Sequence, residues 1–292
     1  MLRDDFIHQF EHICSEIENK KVKLRAYEKI YGGDINETYR LAMTDIDYFV
    51  KINNKDKLPM FEVEAESLQI LSASNSFRIP VVFEAGEFEE KSYLLMEFIP
   101  SMLDAENPKN FAESLAELHQ NTNDKFGLSY DNYIGILPQN NSERENWIDF
   151  YIENRLQYQI NLARQKDLIP THLLHQFDKL FQKLPELLVI EPPALLHGDL
   201  WNGNYFYDQL GKAVVFDPAI YYGNREVDLA MMSLFGGFNP KIYDIYNEIF
   251  PLEKAWKERL MIYQLYPLLV HLNLFGNSYL TSIEQVFNRI CQ

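Results

Sequence analysis

Hydrophobic and polar residues alternate with two different periods along the first hundred positions. Over residues 4–19 the apolar positions recur at helical spacing, which predicts an amphipathic helix that packs on a core. From about residue 22 to 53 the pattern changes to short alternating runs, KLRAYEKIY, ETYRLAM and DYFVKIN, separated by GGD and TDID. Such runs between turn residues predict three antiparallel strands.

A helix and two more strands are expected after these three. The segment FEVEAESLQILSAS predicts the helix, and IPVVFEAGEF and KSYLLMEFI predict the strands. The first hundred residues are therefore expected to form a five-stranded antiparallel sheet with one helix after its third strand.

The pattern becomes mainly helical beyond Ile99. Apolar faces at helical period run through NFAESLAELHQNT, ERENWIDFYIENRLQYQINLARQ and HLLHQFDKLFQKLPELL, and the tail from about residue 225 is helical again. Two short strands, around YFYD and AVVFD, interrupt this half and are joined by the turn DQLGK. We therefore expect an α+β protein with two lobes, residues 1–99 and 100–292.

The composition is that of an ordinary globular protein. With 292 residues, of which 47% are hydrophobic, the chain can bury a large core. Its 27 basic and 43 acidic residues give a formal net charge of −16, which argues against broad nucleic-acid binding, because phosphate backbones are held by fields of Lys and Arg. A phosphate ligand of such a chain is expected to need a metal ion.

Cysteine usage and hydropathy favour a cytoplasmic protein. Cys14 and Cys291 lie near opposite ends, without the spacing of a disulfide framework or a zinc site. The N-terminal MLRDDFIHQFEHI lacks the apolar run of a signal peptide. The most apolar later stretch, YQLYPLLVHLNLF, is shorter than the ~20 residues of a membrane span, so no membrane segment is expected.

Polar residues with chemical potential cluster in LLHGDLWNGN, residues 195–204, where a mostly apolar strand ends. Asp199 precedes Asn204 by five residues, and Asp217, in VVFDPA, follows Asn204 by thirteen, at the end of the strand that should pair with the one Asn204 begins. Two oxygen ligands from adjacent strand ends can converge on a hard cation such as Mg²⁺. Asp199 can then accept the hydrogen of an attacking hydroxyl, which is the layout of phosphoryl transfer. The alternative is a loop in which Asp199 caps a turn and the other two satisfy strand ends.

Other polar residues are expected to support this loop. His197 is expected to orient the loop through backbone hydrogen bonds rather than to exchange protons. Arg225 and Asp228, in NREVDLAMM, can brace the loop by charge-assisted hydrogen bonds or form a salt bridge at a helix start. His119, at the end of an apolar helix face, is expected to be structural.

The first lobe contains candidates for a nucleotide site. Gly32 and Gly33 lie between two predicted strands, where their backbone can approach phosphates and donate amides, although a plain hairpin explains them too. Lys51 lies among apolar residues in YFVKIN, where an unpaired ammonium is costly. Of three glutamates on the following helix we favour Glu64 as its partner, since such an ion pair would aim the lysine at α- and β-phosphate oxygens. Lys51 can instead extend to solvent.

The end of the last predicted sheet strand is a candidate for adenine binding. Met96, Glu97 and Phe98 lie in LLMEFIP, which runs from the strand into a connector, and the backbone at Glu97 and Phe98 can pair with an adenine edge. Any apolar strand followed by Pro looks similar, so this assignment depends on the other residues.

Several longer stretches resemble the fructosamine kinase (ketosamine 3-kinase) family, within the superfamily of aminoglycoside phosphotransferases and choline kinase-like proteins. They are GGDIN…YRL, FVKIN, FEVEAESL, LLHGDLWNGN and FDPAIYYGNREVDLAMMSLFGGF. The likeness follows the order of the chain from about residue 24 to about residue 275. The discriminating part is the Trp after HGDL together with DPAxYYGxRExDLAM, because HGDLxxxN alone points only to the superfamily. The resemblance implies a protein-kinase-like, two-lobed fold with ATP in the cleft between the lobes.

The resemblance also implies a reaction and a set of functional residues. The reaction is an ATP-dependent, Mg²⁺-assisted phosphorylation of the sugar 3-hydroxyl of a ketosamine, the Amadori adduct of a sugar and an amine. The ester formed is unstable and releases the amine, so the biological effect would be deglycation. By resemblance, the functional residues are the base Asp199, the metal ligands Asn204 and Asp217, the phosphate-orienting pair Lys51 and Glu64, the phosphate loop at Gly32 and Gly33, and the sugar-side Trp201. Trp201 can instead anchor the loop in the core.

One departure and several alternatives accompany this resemblance. The chain has Asp34 where many members of the family carry Cys, so thiol-based redox control at that loop is not expected. Another hydroxyl kinase, for aminoglycosides, choline or a different sugar, is the alternative enzyme, and a nucleotide-binding regulator without catalysis is the alternative of another class. The expected partner is a small-molecule ketosamine or glycated amine, and the expected state is a monomer or weak homodimer.

Overall fold

The computed structural model describes residues 3–30, 35–102 and 106–290 of the chain. The described residues divide into two compact units. The first unit takes its residues from 1–73, 77–106 and 206–216, and the second from 74–76, 107–205 and 217–292. The short segment 206–216 therefore belongs with the first unit although the second unit surrounds it in the sequence.

A helix packed on a sheet opens the first unit. Helix α1, Asp4–Glu18, confirms the predicted amphipathic helix and buries its apolar face, including Phe6 and Phe10, in a cluster with the sheet. Cys14, on the same face, is a buried free thiol. Cys291 lies outside the described residues.

The predicted five-stranded antiparallel sheet is confirmed. Its strands are β1 (Ala26–Ile30), β2 (Glu37–Ala42), β3 (Asp47–Asn54), β4 (Val82–Phe88) and β5 (Lys91–Glu97), in the order β1-β2-β3-β5-β4. Every neighbouring pair is antiparallel. A short 3-10 turn, Lys55–Lys57, leads from β3 into helix α2, Leu58–Ala73, which is the helix predicted from FEVEAESLQILSAS.

Strand β3 presents two different faces because successive side chains of a strand point to opposite sides of the sheet. Val50 and Ile52 lie in the core cluster that includes α1. Lys51, between them, belongs to the other face, where it is only 4% exposed and meets α2. The alternation of the strand thus carries a charged side chain into a buried position.

The second unit is mainly helical, as predicted. Its helices are α3 (Pro108–His119), α4 (Trp147–Phe150), α5 (Tyr158–Gln165), α6 (Thr171–Leu187), α7 (Glu226–Leu234), α8 (Lys241–Ile249), α9 (Trp256–Phe275) and α10 (Leu280–Ile290). A π-helical stretch, Tyr151–Gln157, joins α4 to α5, and a 3-10 turn, Asn277–Tyr279, joins α9 to α10. In the part of the chain that is described, none of the helices has the length and apolar character of a membrane span.

Short strands are more numerous after Ile99 than the pattern predicted. The predicted strands are present as β9 (Tyr205–Tyr207) and β10 (Ala213–Val215), which pair with each other. The structure adds a hairpin of β6 (Asn132–Ile134) with β7 (Leu137–Gln139), and a pair of β8 (Ala194–Leu196) with β11 (Tyr221–Gly223). The expectation of only two short strands in this half was wrong, because strands of three residues are too short to establish a period.

Aromatic side chains fill the centre of the second unit. Trp147 stacks on Phe150 and Tyr151, with ring centroids 5.7 and 5.5 Å apart, and its indole N–H donates to the Tyr263 hydroxyl at 3.1 Å. All four side chains are buried. The aromatic rings at these positions are therefore part of the core of the second unit.

Candidate active site

The backbone of the loop after β8 is held by one buried carboxylate. Asp228, on α7, accepts the backbone N–H of His197 at 2.8 Å and that of Gly198 at 2.9 Å. Its side chain is fully buried, and hydrogen bonds from amides to a charged acceptor are stronger than those between neutral groups. Asp228 thus braces the loop, which is one of the two roles that the sequence left open. The N–H of Asp199 lies 3.3 Å from His197 Nδ1, so His197 orients the loop through the backbone, as expected.

Gly198 lets this loop lie directly against the segment that follows Asp217. Its φ is +81°, and a Cβ at this position would overlap the carbonyl oxygen of Ala219. The Ala219 N–H in turn donates to the carbonyl of His197 at 2.9 Å. Only glycine satisfies both the backbone angle and the close approach. The contact brings the two loops of the candidate site together.

The structure brings Asp199, Asn204 and Asp217 together in the second unit. The side-chain amide of Asn204 donates to the Asp199 carbonyl at 2.9 Å, to the Asp199 carboxylate at 3.1 Å and to the Asp217 carbonyl at 3.4 Å. Asn204 immediately precedes β9, and Asp217 follows the end of β10 by two residues. Asn204 and Asp217 are therefore brought together by the pairing of β9 with β10, next to the loop that carries Asp199.

Electrostatics at this cluster favour a cation. The pKa of Asp199 is raised from an ordinary value of 3.8 to about 7, first by burial, then by the nearby charge of Asp217 and to a smaller extent by that of Asp228, while the hydrogen bond from Asn204 opposes the shift. A divalent cation would relieve the repulsion between the carboxylates. The Asp217 carboxylate and the Asn204 amide oxygen are donors of the kind that Mg²⁺ takes.

The oxygen donors of the protein would leave most of a cation's coordination positions to other ligands. Within the described residues no group of three or more His, Cys, Asp or Glu side chains is arranged to hold a metal ion. Asn204 and Asp217 would hold Mg²⁺ through their side-chain oxygens, and phosphate and water oxygens would supply its other ligands. The donor set fits a metal that arrives with a polyphosphate.

Asp217 itself has a backbone conformation that is rare outside glycine. Its φ is 54°, in the left-handed region, which costs free energy unless the surroundings impose it. The next residues are fixed by side chains of the β6–β7 hairpin: Asn132 donates to the Ile220 carbonyl at 2.8 Å, and Gln139 donates to the Ala219 carbonyl at 3.1 Å. These bonds hold the segment that carries Asp217 in its strained conformation.

A buried polar network supports the side-chain amides of Asn132 and Gln139. Gln139 also donates to Asn132 Oδ1 at 2.8 Å, and accepts a hydrogen bond from the Tyr266 hydroxyl at 2.6 Å. Asn141 donates to the same Asn132 oxygen at 2.8 Å, and the Arg155 guanidinium donates to Asn141 Oδ1 at 2.7 Å. The sequence pattern did not predict this network. Its only signal was a set of polar residues in short segments with no hydrophobic period.

Arg225 has a different role from Asp228. It forms an ion pair with Glu191, with Nη2 and Oε1 2.7 Å apart, and donates to the carbonyls of Phe250 and Pro251. The residue directly precedes α7, so the salt bridge at a helix start is the alternative that the structure supports for Arg225.

His119 is a structural histidine, as expected. Its Nδ1 lies 2.8 Å from the Tyr246 hydroxyl and its Nε2 lies 3.2 Å from the Asp228 carboxylate. All three side chains are buried. His119 therefore helps to fix the carboxylate that braces the loop after β8.

Trp201 folds back over its own loop. A Cβ at Gly203 would overlap the indole ring, so the absence of a side chain there makes room for it. The ring is partly buried and lies edge-on to Phe235, with centroids 6.3 Å apart. Trp201 is thus near Asp199 and retains exposed surface, which is compatible with contact to a sugar.

Lys51 and Glu64 form a close ion pair in the first unit. Lys51 Nζ on β3 donates to Glu64 Oε1 on α2 at 2.6 Å, and their side chains are 5% and 17% exposed. The other two glutamates of FEVEAES, Glu62 and Glu66, are exposed. The structure therefore brings together the pair that the sequence analysis favoured, and Lys51 does not extend to solvent.

The predicted adenine-binding segment is partly used within the first unit. Met96 is buried in β5, and the Glu97 N–H donates to the Val81 carbonyl at 2.8 Å. The Phe98 N–H donates to the Asp47 carbonyl over a longer 3.4 Å. A nucleotide base at this segment would have to use the carbonyl oxygens, or replace the long bond at Phe98, because the Glu97 N–H is already donated.

The predicted phosphate loop, Gly32 and Gly33, and the neighbouring Asp34 lie outside the described residues. The chain directly after them is fixed: Asn53 on β3 donates to the Ile35 carbonyl at 3.1 Å and to the Asn36 side chain at 2.7 Å.

Comparisons with known proteins point to one family. A family model described as fructosamine kinase matches residues 6–292. A probable ketoamine kinase of Enterococcus faecium is 46% identical over 262 residues, covering 88% of this chain and 92% of that protein. A crystal structure assigned as a fructosamine-3-kinase from Haemophilus somnus has a TM-score of 0.88 at 33% identity, covering 98% of this chain and 100% of that one.

A more distant crystal structure resembles the chain in fold alone. It is the ternary complex of an aminoglycoside phosphotransferase with AMP-PNP and hygromycin B, with a TM-score of 0.63 at 15% identity, covering 96% of this chain and 95% of that one. Together these neighbours confirm the predicted protein-kinase-like α+β fold.

Proposed function

The chain belongs to the fructosamine kinase family, and on that premise we propose that it transfers the γ-phosphoryl group of ATP to the sugar 3-hydroxyl of a ketosamine. It is a phosphotransferase with a hydroxyl acceptor. The product ester would decompose and release the amine, so the effect of the reaction would be deglycation.

The meeting of Asp199, Asn204 and Asp217 is the observation that carries this proposal. In the proposed reaction the Asp199 carboxylate accepts the hydrogen of the sugar hydroxyl as the hydroxyl oxygen attacks phosphorus. Asn204 holds Asp199 in place through two hydrogen bonds. Asn204 and Asp217 would also hold Mg²⁺, which supplies positive charge for the phosphate oxygens.

The first unit offers the groups that would orient the nucleotide. The buried Lys51–Glu64 pair would direct the lysine ammonium at the α- and β-phosphates, since Glu64 fixes the position of Nζ. Gly32 and Gly33 would contribute backbone amides to the phosphates. The connector at Met96, Glu97 and Phe98 would contact the adenine ring. The aminoglycoside phosphotransferase that shares the fold was crystallised with an ATP analogue, which supports ATP as the donor.

We assign nucleotide binding and catalysis to the two lobes that the sequence predicts. Residues 1–99 would form the nucleotide-binding lobe, and residues 100–292 would carry the catalytic loop and the acceptor site. A cytoplasmic location, a monomeric or weakly dimeric state, and the absence of nucleic-acid partners stay predictions from composition and charge.

Product identification tests the proposal. Purified protein with ATP, Mg²⁺ and a fructosamine is expected to form a sugar phosphate whose phosphorus couples, in NMR spectra, to the hydrogen on C3. Fructose, which lacks the amine, serves as the control acceptor. If correctly folded protein that binds ATP transfers phosphate to no fructosamine or ribulosamine, or esterifies a hydroxyl other than that on C3, the proposal is wrong.

A further inference from the structure

A row of aromatic rings extends from the catalytic loop across the second unit. We call it the aromatic row, and it consists of Trp201, Phe235, His271, Phe275 and Tyr279. Ring centroids are 6.3 Å apart between Trp201 and Phe235, and 4.8 Å apart between Phe235 and His271. His271 continues the contact to Phe275 at 5.5 Å and to Tyr279 at 5.0 Å. The row thus joins the catalytic loop, the end of α7, the last turns of α9 and the turn after it.

The row is attached to the catalytic loop at a second point. A Cβ on Gly237 would lie 2.5 Å from the side chain of Asn202, so the chain after Phe235 rests against the residue that follows Trp201. The Trp201 N–H donates to the Asp199 carbonyl at 3.1 Å. The first ring of the row therefore sits within one tight turn of the proposed base.

All five side chains are uncharged near neutral pH. His271 Nδ1 lies 2.8 Å from the Pro267 carbonyl oxygen, which can only accept, so Nδ1 carries the hydrogen and Nε2 is the acceptor nitrogen of the neutral ring. Burial also lowers the pKa of His271, which keeps the ring neutral. The row thus combines π faces with one hydrogen-bond acceptor and has no charge of its own.

Core packing does not account for the outer part of the row. Phe235 is 38% exposed and Phe275 is 55% exposed, although the neighbouring residues Leu272 and Asn273 of α9 are buried. Single exposed apolar side chains are ordinary in proteins, whereas a continuous exposed apolar surface beside a reaction site indicates contact with a ligand. Because the row continues from Trp201, which lies next to the proposed base, the ligand that this surface would contact is the acceptor substrate.

We propose that the aromatic row is the subsite for the amine side of the acceptor, and that it takes the hydrocarbon substituent of a protonated amine. The inference rests on the proposed function, because the row is adjacent to the hydroxyl-activating Asp199. In a ketosamine the amine is attached to C1, two carbons from the reacting C3, so the amine and its substituent must lie next to the loop. Aromatic faces attract an ammonium group and bury hydrocarbon, and His271 Nε2 can accept an ammonium hydrogen.

The same chemistry predicts a preference among ketosamines. An alkyl or aryl substituent on the amine gains contact with the rings. A carboxylate beside the amine would lose water at the row and meet no cation among its five side chains, which costs free energy. The subsite therefore favours adducts of side-chain or simple alkyl amines over adducts of the α-amino group of free amino acids.

Steady-state kinetics with two acceptors test the subsite. The probes are 1-amino-1-deoxyfructose and its N-benzyl derivative, at saturating ATP and Mg²⁺. In the unmodified protein the N-benzyl compound is expected to have a KM lower by about tenfold, the upper part of what one aromatic contact provides. Phe275→Ala should reduce that ratio to about twofold, and the change should appear in KM, because the contact is equal in ground and transition states.

Trp256→Ala is the matched control. Trp256 is a partly buried aromatic residue at the opposite end of α9, stacked on Tyr243 and nineteen positions before Phe275 in the helix. The Trp256→Ala variant should have the same ratio of KM values for the two acceptors as the unmodified protein. Equal KM values for the two acceptors in the unmodified protein, an unchanged ratio in Phe275→Ala, or an equal loss in Trp256→Ala would each overturn the subsite. Failure to phosphorylate either acceptor would overturn the proposed function as well, so the two failures are distinguishable.

Discussion

Individual residues in the second unit are constrained by close contacts as much as by chemistry. Gly198 combines a left-handed φ with a backbone contact to Ala219, and Asp228 satisfies two amides of the same loop. Neither residue touches the reacting atoms in the proposed mechanism. Both determine where Asp199 lies, which is why changes here should affect turnover.

Substitution of Gly198 separates backbone strain from steric overlap. Gly198→Ala is expected to lower turnover at least 100-fold, since a misplacement of about 1 Å can cost that much. It should also lower the free energy of unfolding, because the new Cβ displaces the Ala219 peptide. The control is Gly236→Ala, at a similar φ of +70° but with no atom within 4 Å of the added Cβ.

Kinetics and urea unfolding of both variants provide the measurement. Gly236→Ala should lose only about 1 kcal/mol of stability from its strained backbone. Equal losses of turnover in the two variants would show that the contact with Ala219 is unimportant.

The Lys51–Glu64 pair allows an equally local test. Glu64→Gln keeps the length of the side chain but removes its charge, so Lys51 Nζ loses its anchoring ion pair. We expect kcat/KM for ATP to fall by about 10- to 100-fold, since breaking a buried pair leaves an uncompensated charge. Glu62→Gln and Glu66→Gln remove the same charge from exposed positions of α2 and should behave like the unmodified protein.

The result for Glu64 can also contradict the proposal. If Glu62→Gln or Glu66→Gln lowers kcat/KM for ATP as much as Glu64→Gln does, the net charge of the helix matters and the pairing does not.

Secondary-structure elements deliver the site residues, and their patterns were predictable to different extents. The pairing of β9 with β10, which sets Asn204 beside Asp217, followed from two short apolar runs around a glycine-containing turn. The β6–β7 hairpin was not predictable, because its contacts are long-range: Asn132 bonds a carbonyl 88 residues later in the chain. The left-handed backbone of Asp217 likewise depends on that distant support rather than on local sequence.

The hairpin makes its own prediction. Gln139→Leu has a similar volume but leaves the Ala219 carbonyl and the Tyr266 hydroxyl without the partners they have now. We expect a loss of about 2 kcal/mol in the free energy of unfolding, the cost of unsatisfied buried polar groups. We also expect a higher Mg²⁺ concentration for half-maximal activity, because the segment that carries Asp217 is less firmly held.

Gln157→Leu is the control for this substitution. The Gln157 side chain donates to the exposed Asn161 side chain, one turn further along, at 3.0 Å. The Gln157→Leu variant should change the free energy of unfolding by no more than about 0.5 kcal/mol. Its dependence on Mg²⁺ should equal that of the unmodified protein. A loss of stability in Gln139→Leu with an unchanged Mg²⁺ dependence would limit the network to a structural role.

At the scale of the whole molecule, the sequence predicted the class of fold and the arrangement of the candidate site better than it predicted the supporting structure. Alternating runs were sufficient for the five-stranded sheet, and a few ordered motifs were sufficient for the family. The charge of −16 predicts a metal partner for any phosphate ligand, and this stays a prediction. The aromatic row was not recognised, because its rings come from segments up to 78 residues apart and share no period.

The central claim is that one site in this chain transfers phosphate with Asp199 as its base. The most direct test is a single-turnover experiment with radiolabelled ATP, Mg²⁺ and a fructosamine, on Asp199→Asn and on the control Asp244→Asn, which changes an exposed carboxylate of α8. Asp199→Asn should bind ATP within about twofold of the unmodified protein but transfer phosphate about 10²- to 10⁴-fold more slowly, while Asp244→Asn transfers at the normal rate. Transfer by Asp199→Asn at the rate of the unmodified protein would contradict the account.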